Sequence, residues 1–144
     1  MNLHRPIMNT DPFLRLTRLD SGRRRLVLRT AAQLCLVSLA VAVLPFRHVI
    51  RIGAVPLGAR SISTAECLWA IDAASRRLPW RTACIQKGLV MQRLLRTGGV
   101  DAVLNYGARN LETKLEAHVW VTVGGQAVIG GEEATAFAKI ATYP

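Results

Sequence analysis

A chain of 144 residues has room for one domain and one modest core, and this one is rich in Ala, Leu and Val and poor in aromatics. Its cysteines, Cys35, Cys67 and Cys84, show no metal-ligand spacing and cannot all pair, which excludes a disulfide scaffold and points to a reducing cytoplasm. The formal charge of +10 is uneven: residues 1–51 hold nine Arg against Asp11 and Asp20, so the basicity belongs to the N-terminal third.

That third opens with MNLHRPIMNTDP, which has no hydrophobic period. Residues 1–22 read as a flexible basic segment ahead of a single domain over residues 23–144, with a short amphipathic turn at Phe13 to Leu19 that breaks at Asp20, Ser21 and Gly22. Arg23, Arg24 and Arg25 then lead into Thr30 to Phe46, seventeen residues without a charge. The run touches the lower limit for a membrane span, but arginines flank both ends and give no orientation. It lies too far from the start for a signal peptide, which leaves a core helix ending before Pro45 and membrane association as competing readings. No aromatic platform or nucleic-acid fold accompanies the arginines, so no nucleic-acid partner is expected.

Residues 47–61, with Gly53, Pro56 and Gly58, form a loop. Ser61 to Arg77 reads as a helix whose start resembles a capping box of Ser63 with Glu66, and Cys67, Leu68, Ile71 and Ala74 face inward. Pro79 then forces a stop and a turn. From Cys84 the apolar positions Ile85, Leu89, Met91, Leu94 and Leu95 make a helical stripe closed by Gly98 and Gly99. Cys84 therefore faces inward on the first turn, where the helix dipole favours a thiolate, and Gly88 one turn on permits close approach of another segment. Of the cysteines only Cys84 begins a helix after a proline turn; Cys35 and Cys67 sit mid-helix as packing.

Val100 to Tyr106 alternates as a first strand, and the polar Ala108 to Glu116 reads as a connection. Ala117 to Val123 is a second strand that puts His118, Trp120 and Thr122 on one face and Ala117, Val119, Val121 and Val123 on the other. Gly124 and Gly125 supply a tight hairpin, and Gln126 to Ile129 returns. Residues 132–141, EEATAFAKIA, suggest a helix with Glu132 and Glu133 in its first turn. A cysteine opening a helix and a histidine on a following strand are what a papain-like or transglutaminase-like thiol enzyme needs, the imidazole taking the thiol proton and returning it to the leaving amine.

The segments LPFR (44–47), LPWRTAC (78–84), LLRTGG (94–99), AHVWV (117–121) and VIGGEE (128–133) resemble the transglutaminase-like cysteine peptidases of lasso-peptide biosynthesis, over roughly residues 25–140. The resemblance implies an α+β fold: N-terminal helices, among them the apolar run as a core helix ending before Pro45, and a nucleophile-bearing helix packed on a small antiparallel sheet. It implies removal of the leader from a ribosomally made precursor, with Cys84 as nucleophile, His118 as base and no cofactor or metal. Trp80 and Trp120 are candidate walls of the substrate groove. Family members add a downstream acidic residue, but no aspartate follows His118. Counting back across a regular Gly124–Gly125 hairpin sets Gly131 opposite His118, which leaves Glu132 or Glu133, or a backbone group, as the third member. The family also exists with a fused leader-recognition domain; residues 1–25 are too few for one, so a separate leader-recognition protein is expected, together with an ATP-dependent macrocyclase that uses the freed amine. The competing function classes are another thiol acyl-transfer enzyme, of amidase or transglutaminase type, and a non-catalytic peptide-binding or membrane-associated module.

Overall fold

The structure, a computed structural model, describes residues 17–144, so the expectations placed on residues 1–16 lie outside the described residues. Helix α1 spans Ser21–Val43 and starts where the Asp20 carboxylate accepts the Arg23 N–H at 2.9 Å. Its buried residues are Val27, Thr30, Leu34 and Val37, one stripe at three- and four-residue steps. Thr30 satisfies its hydroxyl within the helix by donating to the Leu26 carbonyl at 2.8 Å. Leu44 turns to extended geometry before Pro45, as a residue preceding proline should. The apolar run is thus a helix but only partly a core one, because its remaining faces stay open.

A single turn, α2 (Phe46–Val49), buries Val49 and is followed by a loop tied to the helix that opens at Cys84. Arg93 donates to the Ile52 carbonyl at 3.1 Å and Arg96 to the Val55 carbonyl at 2.6 Å. Helix α3 (Thr64–Ser75) begins with the expected capping box: the Glu66 N–H donates to Ser63 Oγ and the Ser63 N–H donates to the Glu66 carboxylate. Helix α4 spans Cys84–Thr97 and ends at Gly98, with Gly99 at φ +79°. α1, α3 and α4 pack on one another, and α4 also packs on the sheet.

Four antiparallel strands follow in the order β3-β2-β1-β4: β1 Ala102–Leu111, β2 Lys114–Val123, β3 Gln126–Ile129 and β4 Ala138–Tyr143. The fold is α+β, helices packed against a small antiparallel sheet. Ala102, Leu104, Val119 and Val121 are buried toward the helices, in one core with Leu89, Met91 and Leu95 of α4. Gln92 of α4, fully buried, fastens the end of β4 by donating to the Tyr143 carbonyl at 2.7 Å.

Two expectations are corrected. The polar stretch 108–116 is not a connection but the outer arm of a hairpin, paired from Ala102↔Val123 to Leu111↔Lys114. Its polarity reflects solvent exposure, and opposite charges meet across the strands: Arg109 donates twice to Glu116, at 2.9 and 2.7 Å. The helix expected over residues 132–141 is only one turn, α5 (Gly131–Ala134), after which the chain pairs with the free edge of β1 as β4. Pairing along an available edge outweighs the helical leaning of its alanines.

Candidate active site

The loop before α4 is held by one residue of α1. The Ser38 hydroxyl accepts from Trp80 Nε1 at 3.3 Å and from Gln86 Nε2 at 3.0 Å. Gln86 in turn accepts the Ala83 N–H through Oε1 at 2.5 Å, which fixes the entry into the helix. Cys84, the first helical residue, is half-buried, and its own N–H belongs to the first turn, which has no intrahelical acceptor.

Gly88 sets how closely this turn approaches the sheet. A Cβ there would lie 2.7 Å from Val119 Cγ1, so only glycine lets α4 and β2 meet at this spacing. Cys84 lies one turn before Gly88, and His118 is the neighbour of Val119. Thiol and imidazole both line one cavity, of about 650 Å³.

The His118 side chain is 7% exposed. Its ring stacks on Phe137 with centroids 5.0 Å apart and on Trp120 at 6.0 Å. Nε2 lies 2.7 Å from the Gly130 carbonyl oxygen. A carbonyl can only accept, so Nε2 carries the proton and the neutral ring keeps its lone pair on Nδ1. The hydrogen bond thus fixes the tautomer and leaves one nitrogen as a base.

Neither glutamate occupies the orienting place. Glu132 and Glu133 are exposed on α5, Glu133 at the rim of the cavity and Glu132 on a neighbouring hollow behind Gly130. The regular count fails because the β2–β3 ladder shifts between Val121 and Thr122: Thr122 pairs with Ala127 but Val121 with Ile129. Pairing ends at Ile129, and Gly130 at φ +71° turns its carbonyl back onto His118. The expected groove walls also lie elsewhere. Trp80, bonded to Ser38, borders a separate hollow with Asp72, Arg76 and Pro79. Trp120 is 8% exposed and its ring covers Gly107, where a Cβ would come 2.9 Å from Cζ3.

The walls are Phe137, Arg109, Lys114, Glu116 and Lys87. Arg109 holds its guanidinium 4.6 Å over the Phe137 ring while paired with Glu116, whose carboxyl is kept below its usual range by those hydrogen bonds. Phe137 and this pair escaped the sequence reading; alternating opposite charges around the Leu111–Lys114 turn were the available signal.

Residues 31–142 match the transglutaminase-like superfamily. The chain belongs to that superfamily. No curated protein and no solved structure matches it. Membership points to cysteine peptidase or acyl-transfer chemistry, for which a transglutaminase-like domain needs a thiol, a base and an oxyanion donor. The other cysteines are unsuited to it: Cys67 is fully buried, and burial, with the Glu66 charge beside it, pushes its thiol up to about 11. Cys35 is exposed on α1, away from the cavity.

Proposed function

We propose that the protein is a cysteine peptidase that removes the leader from a ribosomally synthesised lasso-peptide precursor. The observation that carries this is one cavity lined by a helix-opening thiol and an imidazole whose Nε2–H is tied to a backbone carbonyl. The peptidase and lasso-peptide assignments draw their further support from the resemblance of the five quoted segments.

His118 Nδ1 takes the proton of Cys84, and Sγ attacks the carbonyl carbon of the scissile bond. The Cys84 N–H, at the positive end of α4, meets the developing oxyanion. The imidazolium gives its proton to the leaving amine, freeing the core peptide and leaving the leader as a thioester on Cys84. Water, deprotonated by His118, then hydrolyses the thioester to a leader carboxylate and restores the thiol. Throughout, Gly130 accepts from Nε2–H, as an orienting carboxylate would, but without a full negative charge to stabilise the imidazolium.

In this reading the enzyme works in the cytoplasm with a separate leader-recognition protein and hands the freed amine to an ATP-dependent macrocyclase. Mass spectrometry of a precursor incubated with wild-type protein and with Cys84→Ala, each with and without the leader-recognition protein, tests it. Cleavage at one site that requires Cys84 is the expected result. Amine incorporation instead of hydrolysis would make it a transferase, and no cleavage in any combination would overturn the peptidase reading.

A further inference from the structure

Helix α1 has a second face that the catalytic reading does not use. Opposite its core stripe, Leu28, Leu36, Leu39 and Val43 stand 53%, 67%, 61% and 66% exposed. With exposed Ala32 and Cys35 they follow one another at three- and four-residue steps, so they share one side of the helix. Leu44 and Phe46, also exposed, add apolar surface just past its end.

Cations bracket this face. Arg24 and Arg25 are exposed one turn before Leu28, Arg29 is exposed beside it, and Arg47 and Arg51 are exposed beyond the far end. Helix α1 contains no Asp or Glu. An apolar band with arginines at its ends, on a chain of net charge +10, matches a layer that is apolar within and anionic at its surface. The helix is long and apolar enough to span a membrane, with a mean hydropathy of 2.0 over its most apolar 18 residues. Spanning, however, would pull Val27, Leu34 and Val37 out of the core they share with α4.

We propose that α1 docks the protein on an anionic lipid surface, lying in the plane of the interface with Leu28, Leu36, Leu39 and Val43 in the acyl boundary and the arginines among the headgroups. The inference is independent of what Cys84 cleaves. It uses only the exposed face and its charges.

The test is cosedimentation of the full chain with vesicles of phosphatidylcholine alone or with about 30% phosphatidylglycerol. Binding to the anionic vesicles, lost in high salt and weak without phosphatidylglycerol, is expected. The double variant Leu36→Glu/Leu39→Glu should bind at least about ten-fold more weakly, and because both positions face solvent its circular dichroism should match wild type. Arg24→Glu/Arg25→Glu should also weaken binding to the anionic vesicles, and Ile140→Glu, 62% exposed on β4, should leave it unchanged. Equal binding by the leucine variant, or no binding by wild type, overturns the proposal. So does a vesicle-free dimer that the leucine variant dissolves, which would assign the face to a second copy. Resistance to alkaline carbonate would mark a spanning helix and overturn it as well.

Discussion

Replacing Gly88 with alanine should disable the site from a position outside it. The new Cβ would stand 2.7 Å from Val119 Cγ1. Carbon atoms in ordinary contact sit about 3.5 Å or more apart, so α4 and β2 must part by roughly 0.8–1 Å. Overpacking of this kind costs about 1–3 kcal/mol, and removing a helix glycine returns about 1, leaving a net loss of about 0–2 kcal/mol of stability. The catalytic effect is larger, because a displacement near 1 Å between reacting groups can cost about 100-fold in rate. Cleavage of the precursor and iodoacetamide alkylation of Cys84 read the activity, and thermal melting by circular dichroism reads the stability. Val119→Ala in the Gly88→Ala background removes the clashing methyl. That double variant should be less stable than Gly88→Ala yet recover most of the lost rate. Full activity in Gly88→Ala, or a double variant no more active than the single one, would refute the claim that this contact sets the spacing of thiol and imidazole.

The remaining predictions concern the imidazole partner and the buried thiol. Gly130→Ala forces a side chain into φ +71° with its Cβ 2.8 Å from the Val119 carbonyl oxygen. The left-handed geometry alone costs about 1–2 kcal/mol, and the turned carbonyl should lower kcat by about 100-fold with KM little changed; unchanged kcat would remove Gly130 as the orienting group. Glu132→Gln and Glu133→Gln should each stay within about three-fold of wild-type kcat/KM, and a 100-fold loss in either would identify that carboxylate as the working partner of His118. Burial holds the Cys67 thiol at about 11, above the ordinary 9.0 of a free thiol, so the folded state keeps a proton that the unfolded chain releases between these values. The contribution of Cys67 to stability is therefore level below pH 9 and falls by about 2–3 kcal/mol as pH rises toward 11, so wild type should lose about that much more stability than Cys67→Ala over this window.

Elements marked by local chemistry were legible in the sequence. Pro79, the apolar stripe and Gly98–Gly99 delimited α4, Ser63 with Glu66 marked the start of α3, and Gly124 and Gly125 take the positive φ values, +55° and +81°, that the hairpin needs. What depended on distant pairing was hidden. The outer hairpin arm is polar on its exposed surfaces and so reads as a loop, and β4 is a strand only because β1 offers it an edge. The same holds at the site. Cys84 and His118 each sit on a legible element, whereas the Gly130 carbonyl reaches His118 only through a ladder shift that no residue around Val121 announces. Trp120, assigned to a groove wall by its face, fills the space above Gly107 instead, because the absent side chain leaves room for the ring.

Comparative alkylation of the cysteines by iodoacetamide, in wild type and in His118→Ala, tests the pairing of thiol and imidazole without knowledge of the substrate. The account predicts that half-buried Cys84 reacts faster than exposed Cys35, that buried Cys67 reacts last, and that His118→Ala slows Cys84 alone. A Cys84 that reacts more slowly than Cys35, or at the same rate with and without His118, would contradict it.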